Sequence, residues 1–352
     1  MRPCQRADGP LVFLSATPAN VRQGSGTYVG IAALRRALVE LGHEVALVAP
    51  RSGAGVWRRL WFNLRLRHGS FPPGTLIGFD LDGALLPARR APRVAAIKGV
   101  LAEESRFERG LPWLSLRLQA LGEARQTRRA ERVIATSQYA AAAIARHYGV
   151  DPGRIRVVPE LLDLAAWRAM LAAAPPRRQG AGRVVLCVAH LYPRKDVATL
   201  IRALALLPGV ELRVVGTGPE SSRLRRLARR LGVRHRAVFT GHVSRMRLAA
   251  EYRGADLFCF PSRQEGFGIV LLEAMAAGLP VVAARAAAIP EVVAAPGCGR
   301  LFPPGDVAAL AAALRDLLAD DAARQRLGEA GRRRAELFDA PRVAEQFLAA
   351  LV

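Results

Sequence analysis

Apolar and polar positions along the chain follow one rhythm. A short apolar run is followed by a loop containing Gly or Pro, and then by an amphipathic helical stripe. Leu11–Ser15 is the first run, and a glycine loop at 24–26 comes after it. A helical period then runs through Val29, Ala33, Leu34, Ala37, Leu38 and Leu41 and stops at Gly42. Val45–Ala49 reads as the second strand, closed by Pro50, with further runs at Val94–Ile97, Val133–Thr136 and Ile155–Val158. Strands that are apolar throughout, instead of alternating, belong to a parallel sheet covered by helices on both faces.

Residues 172–182 (AAAPPRRQGAG) break the rhythm; they are small, rich in Pro and Gly, and have no period. The alternation restarts with Val184–Val188, a helix over Val197–Leu207, Leu212–Val215, a helix over Pro219–Leu231, and Val238–Phe239. Leu257–Phe260, a helix over Phe267–Ala277 and Val281–Ala284 continue it, and helices reach the C-terminus. The expected fold class is therefore α/β, with two doubly wound, Rossmann-like domains facing a central cleft. Residues 1–172 form the N-terminal domain, 173–182 a linker and 183–337 the C-terminal domain, with a C-terminal helix at 338–352 returning to the first domain. A length of 352 residues agrees, being too much for one ordinary core.

Composition narrows the classes. With 51% apolar and 23% charged residues the chain is globular, and no apolar stretch reaches the ~18 residues of a membrane span. Met1–Asp8 and the run after it make a poor secretion signal. Cys4, Cys187, Cys259 and Cys298 lie far apart, without the spacing of a metal site or a disulfide framework, so a reduced cytosolic compartment is expected. The formal charge is +23, and only Lys98 and Lys195 among the 52 basic residues are lysines. Such an excess suits anionic partners: nucleic acid, a membrane face, or phosphorylated substrates. No helix-turn-helix, zinc spacing or aromatic-basic RNA signature accompanies it, so no specific nucleic acid is expected.

The most informative stretch is Glu265-Gly-Phe-Gly-Ile-Val-Leu-Leu-Glu273, between a strand with its Pro261-Ser262 loop and a helix that stops at Gly278. Gly266 and Gly268 allow close backbone approach, and the free N–H groups of the helix's first turn suit a diphosphate. Glu273 falls about one turn into the helix, where a carboxylate can hold the paired hydroxyls of a ribose. Glu265, in the loop, faces whatever lies beyond the phosphate. A helix entry with two surface carboxylates is the plainer alternative.

This segment resembles the E-x7-E motif of retaining glycosyltransferases of the GT-B fold, family 4 (glycosyl transferases group 1). The likeness continues through Pro280-Val-Val-Ala283 and Ile289-Pro-Glu-Val-Val293. It extends over most of the second domain and, more loosely, over the first. It implies metal-independent transfer of a hexosyl group from a nucleoside-diphosphate sugar to an acceptor hydroxyl, with anomeric configuration kept and no cofactor. The substrate would be a UDP- or GDP-sugar, and closure of the domains would exclude water. A second strand-end loop, Val188-Ala-His-Leu-Tyr-Pro-Arg-Lys195, resembles the family's cationic phosphate loop. Lys195 matches the family lysine, and His190 stands where Arg is usual, beside Arg194. By resemblance Glu265 and Lys195 are catalytic. His190, Arg194, Gly216, Gly218, Val243, Gly266, Phe267, Gly268, Ile269, Val270 and Glu273 bind the donor; no residue binds a metal.

The first domain departs from the pattern. Gly24-Ser25-Gly26-Thr27 opens the first helix, but the glycines run to Gly30 one residue off the dinucleotide fingerprint, and no acid ends the second strand. Against the family's Gly-Gly pair, Gly26 is the close-approach position toward the donor. Family members place a His after the strand Val94–Ile97; here Lys98 follows, an electrostatic substitute counted as catalytic. Glu160 stands where the family often has Asn. Asp80-x-Asp82 spells a metal motif but sits where a turn is expected.

Trp57-Arg-Arg-Leu-Trp-Phe-Asn-Leu-Arg-Leu-Arg-His68 mixes aromatics, leucines and four arginines without an acid, the composition of a helix lying in a membrane interface. A core-packed helix with an Arg face is the alternative. The contact would place the protein at the inner membrane face, in glycan or glycolipid synthesis with an acceptor that can be lipid-linked. Arg223–Leu231 reads as a solvated helix face. The competing function is a catalytically silent, nucleotide-sugar-binding or scaffold protein of the same fold, suggested by Lys98 and His190.

Overall fold

The computed structural model describes residues 9–17, 26–50, 56–175, 182–293 and 297–352. Met1–Asp8 with Cys4, the loop positions Gly24 and Ser25, and most of the expected linker (176–181) lie outside them. The chain forms two compact units, residues 1–161 with 340–352 and residues 162–339.

Unit 1 holds strands β1 (Leu11–Leu14), β2 (Val45–Val48), β3 (Thr75–Phe79), β4 (Val94–Ile97), β5 (Arg132–Ala135) and β6 (Ile155–Val157). They pair in the order β2-β1-β3-β4-β5-β6, all parallel. The helices are α1 (Gly26–Glu40), α2 (Val56–Leu66), α3 (Leu101–Glu104), α4 (Gly110–Arg129) and α5 (Gln138–Tyr148), and the chain's last helix, Ala340–Leu351, returns to pack on α1. Leu11 and Phe13 of β1 point into a core closed by α1 and by Phe347 of that last helix; Val12 and Leu14 meet Phe62 and Leu66 of α2 on the opposite face. Both faces are apolar, as the unbroken runs require.

Unit 2 begins with α6 (Leu164–Ala173) and contains β7 (Arg183–Val188), β8 (Val210–Val215), β9 (Ala237–Gly241), β10 (Leu257–Phe260), β11 (Val281–Ala284) and β12 (Gly299–Phe302). Between them lie α7 (Val197–Ala205), α8 (Ser221–Arg230), α9 (Arg245–Arg253), α10 (Ile269–Ala276), α11 (Ile289–Val293), α12 (Val307–Ala319) and α13 (Asp321–Ala335), which leaves α14 as the name of Ala340–Leu351. The parallel order is β12-β11-β10-β7-β8-β9, so the direction of winding reverses between β7 and β10. Ligands of doubly wound sheets bind outside the carboxyl ends of the strands at such a reversal.

The division differs from the expected one. The chain passes between units at Leu161–Leu162 and Asp339–Ala340, so 162–172 and Phe338–Asp339 belong to unit 2. Trp167 of α6 is completely buried against Tyr252 of α9, and Phe338 packs edge-on to Phe267. Those contacts outweigh the Pro/Gly composition that marked 173–182. Two strands escaped the hydrophobic pattern: β3 is broken by Gly78, and β12 has only two apolar residues, Leu301 and Phe302. On α8, Leu224 and Ala228 are buried while the arginines face outward, the solvated face expected of 223–231.

Candidate active site

The loops after β7 and β10 meet at the reversal of unit 2. Pro193–Lys195 makes one turn of 3-10 helix after β7, and the loop after β10 is stitched to it: the Arg263 N–H donates to the Arg194 carbonyl at 2.8 Å. This brings two residues 70 positions apart into a hydrogen-bonded ion pair, the Lys195 ammonium donating to Oε1 of Glu265. Both side chains are nearly buried, and Lys195 also lies 5.7 Å from the centre of the Phe260 ring. Arg194 stacks at 4.9 Å over the half-exposed Tyr192, whose ring is 6.3 Å from that of His190.

Next to this pair, Gly268 takes φ +101° and starts α10, a conformation that a side chain would strain. Gly266 is buried in the loop, while Ile269 and Val270 are half-buried at the helix entry. The Phe267 ring is buried in the core, edge-on to Phe338 at 5.4 Å, and so anchors the loop. Gln264 is a residue the sequence pattern did not single out. Its amide is buried, and among the described residues neither the nitrogen nor the oxygen has a hydrogen-bond partner.

Glu273, the second carboxylate, is buried on α10 and held by three residues that no motif announced. Arg245 donates to it at 2.8 Å, the Tyr252 hydroxyl at 3.0 Å, and the Trp167 indole N–H donates to the Glu273 carbonyl at 3.0 Å. Arg245 in turn lies 5.1 Å over the Trp167 ring. Burial pushes the Glu273 carboxyl up, opposed by the charge and hydrogen bond of Arg245. A carboxylate oriented in this way from behind can accept hydroxyl groups in front.

Gly216 and Gly218 have a reason of their own. A Cβ on Gly216 would stand 2.0 Å from the Ala189 carbonyl oxygen, and one on Gly218 would stand 2.6 Å from the Leu191 nitrogen. The loop after β8 thus lies directly on the loop after β7, joined by Leu191 N–H to the Thr217 carbonyl at 2.9 Å. Gly216 N–H donates to the Gly241 carbonyl at 2.8 Å, adding the end of β9, where Val243 is half-buried. These glycines build the floor that carries His190 and Lys195.

In unit 1 the candidates cluster at the carboxyl ends of β3 and β4. Lys98 forms a buried ion pair with Glu160 at 3.0 Å, and its backbone N–H donates to Asp80 at 3.0 Å. The two positions that depart from the family pattern are therefore bonded to each other. A Cβ on Gly30 would stand 2.4 Å from Oε2 of Glu160, so glycine leaves room on α1 for that carboxylate in its observed position. Gly26 is exposed at the start of α1. Asp80 and Asp82 form the turn after β3. Arg59 bridges them, at 2.9 Å to Asp82 and 3.4 Å to Asp80, and Ala16 N–H donates to Asp82 at 2.7 Å. Protein groups thus satisfy both carboxylates, and the pair is structural.

Beside this turn, Glu123 of α4 is buried, accepting from Tyr148 and from the Leu101 N–H, and burial with the nearby Asp80 charge pushes its carboxyl up to about 8. A raised acid favours the neutral form in the folded chain. Its contribution is fully present below the ordinary value of 4.5 and is lost as pH rises through about 8. Wild type should therefore lose more thermal stability than Glu123→Gln across that window; parallel Tm–pH curves would refute this.

The family model of glycosyl transferases group 1 matches residues 173–334, and that of glycosyltransferase family 4 matches 68–166. The D-inositol 3-phosphate glycosyltransferase of Mycolicibacterium gilvum is 36% identical over 213 residues, 58% of this chain and 48% of that protein. A GDP-mannose-dependent alpha-(1-6)-phosphatidylinositol monomannoside mannosyltransferase of Mycolicibacterium smegmatis is 42% identical over 160 residues, 42% of each chain. The chain spans about half the length of these curated relatives. Among solved structures, sucrose-phosphate synthase of Thermosynechococcus elongatus superposes with a TM-score of 0.81 at 23% identity, covering 96% of this chain and 97% of that one. HepE of Anabaena, in complex with UDP and glucose, gives 0.72 at 21% identity, covering 97% and 98%. The fold shared with these structures is GT-B.

Proposed function

The chain belongs to the group 1 glycosyltransferases, and from that premise we propose that it transfers a hexosyl group from a UDP- or GDP-sugar to an acceptor hydroxyl. The observation that carries the reading is the gathering of Lys195, Glu265 and Glu273 at the winding reversal of unit 2, from loops 70 residues apart. Transfer with retention of configuration and without a metal is part of the proposal.

Lys195 and the amide groups at the entry of α10 receive the diphosphate and stabilise the charge that grows on it as the glycosidic bond breaks. Glu273, fixed by Arg245 and Tyr252, accepts the ribose hydroxyls. Glu265 gives up Lys195 to the phosphate and turns its carboxylate to the sugar. The relatives support the donor class and an acceptor that is a phosphorylated polyol or a lipid-borne glycan, since their names specify GDP-mannose, inositol phosphate and phosphatidylinositol mannoside.

The membrane is the proposed place of action. On α2, Trp57 is 81% exposed and Trp61 67%, one turn apart, while Phe62, Asn63 and Leu66 face inward. Large exposed aromatics flanked by arginines suit a lipid interface. One observation favours the silent alternative: Glu160 neutralises the Lys98 ammonium, and Lys98 is the residue counted as catalytic in unit 1.

A thermal-shift panel of UDP-, GDP- and ADP-sugars tests the reading. A donor at a hundred times its Kd should add about 2.7 kcal/mol to unit 2, and Glu273→Gln and Lys195→Ala should each remove that gain. If no nucleotide sugar stabilises the wild type, the donor site is refuted. If one binds without transfer or donor hydrolysis, the silent reading holds.

A further inference from the structure

Helix α4 carries a stripe that no motif predicted. Leu111, Leu114, Leu118 and Leu121 are all exposed, and Arg125 and Arg128 continue the same line at spacings of three and four. The stripe is thus apolar along its N-terminal half and cationic along its C-terminal half. Beside it, between α4 and α5, runs a groove of about 630 Å³ lined by Leu118, Leu121, Arg117, Arg125, Arg128 and His147.

The arginines of this groove await an anion. Arg125, Arg128 and Arg129 each donate to a backbone carbonyl, of Ala84, Tyr148 and Leu86, which fixes their positions. Among the described residues none of them, nor Arg117, forms an ion pair with a carboxylate. Arg129 is pulled down by burial and by the charge of Arg125, the mark of cations set against one another. The only acid on α4 is Glu123, which faces inward and is pushed up to about 8. His147, at the groove's far wall, is bonded to Glu103 at 2.6 Å, and Arg106 and Arg146 also face that carboxylate.

The occupant follows from the pairing of the two halves. A free phosphate or a nucleic-acid backbone would use the arginines and leave the leucines idle. The stretch 111–121 rises about 15 Å, roughly the depth of one leaflet's hydrocarbon. We propose that this groove binds an anionic phospholipid, with its phosphate among Arg117, Arg125 and Arg128 and an acyl chain along Leu111–Leu121. Unit 1 thereby holds to an anionic membrane.

Helix α2 covers the same face of the sheet as α4. Val12 and Leu14, which pack on α2, lie on the same sheet face as Ala95 and Val133, which pack on α4. The register Val12↔Leu76, Gly78↔Ala95, Ala95↔Val133 carries that face across the sheet. The site contains none of the proposed donor residues, so its success or failure is independent of the transfer reading.

Co-sedimentation with phosphatidylcholine vesicles, pure or doped with phosphatidylglycerol, tests it on the whole chain. Wild type should bind the doped vesicles only. Arg117→Glu, at an exposed position, should weaken that binding roughly thirtyfold, at about fivefold for each of the two unit charges changed. Leu118→Ser/Leu121→Ser should weaken it at least as much, with both variants melting at the wild-type temperature. Dihexanoyl-phosphatidylglycerol below its micelle concentration should bind in calorimetry, whereas inorganic phosphate should not. Unchanged vesicle binding in both variants overturns the proposal, as does equal binding of inorganic phosphate or loss of binding only in Trp57→Ser/Trp61→Ser.

Discussion

Lys195→Met should lower sugar transfer by about 10²–10³-fold, the usual cost of removing one charged group aimed at developing transition-state charge. The same substitution should destabilise unit 2, because it leaves Glu265 nearly buried without its cation. Breaking a fully buried pair costs about 3–5 kcal/mol. The Lys195 and Glu265 side chains keep 13% and 11% of their exposure, so water offsets part of that. A fall of about 1–3 kcal/mol is expected in urea unfolding. Glu265→Gln should cost less, since the amide still offers an oxygen to the ammonium. The double variant Lys195→Met/Glu265→Gln separates the two roles. Stability should return close to wild type, because a neutral pair needs no desolvation, while transfer stays at the level of the single variants. Recovery of activity together with stability would show that the pair serves folding alone.

Trp167→Ala should cost unit 2 about 3–5 kcal/mol, the range for deleting a fully buried aromatic. Trp167 has no exposed surface, stands edge-on to Tyr252 at 5.4 Å, and bonds the Glu273 carbonyl. Its loss also removes the ring beneath Arg245, the residue that orients the Glu273 carboxylate. Donor-induced stabilisation should therefore fall along with basal stability. Trp167→Phe keeps most of the packing and drops the N–H, so it should cost less than half as much and leave more of the donor response. Equal effects of the two substitutions in denaturant titrations would place the whole contribution in the hydrogen bond.

The fold was legible because its evidence is local. A short apolar run looks the same wherever its neighbours lie, and such runs mark ten of the twelve strands among the described residues. The candidate donor residues were legible for a related reason: in a doubly wound sheet, the residues just after a strand are delivered to one edge whatever else the chain does. β3 and β12 were hidden by Gly78 and by Gly299-Arg300, which interrupt the hydrophobic pattern without preventing pairing. Arg245, Tyr252 and Trp167 were hidden because a clamp behind a carboxylate has no spacing rule. Its members reach Glu273 from 28, 21 and 106 residues away.

The sequence by itself determined the two parallel α/β sheets, the places where glycines and charges follow strands, and the family to which those places belong. Periodicity within a strand or helix and the chirality of its connections suffice for that. Only the tertiary structure decided the pairings. Both lysines of the chain are held by glutamates, Lys98 by Glu160 across 62 residues and Lys195 by Glu265 across 70. It also decided that α6 belongs with unit 2 and that α4 leaves four leucines and its arginines facing outward. The physical reason is that burial and ion pairing depend on which distant segments the closed sheets bring within a few ångströms, and hydrophobic patterning specifies a face without naming what covers it.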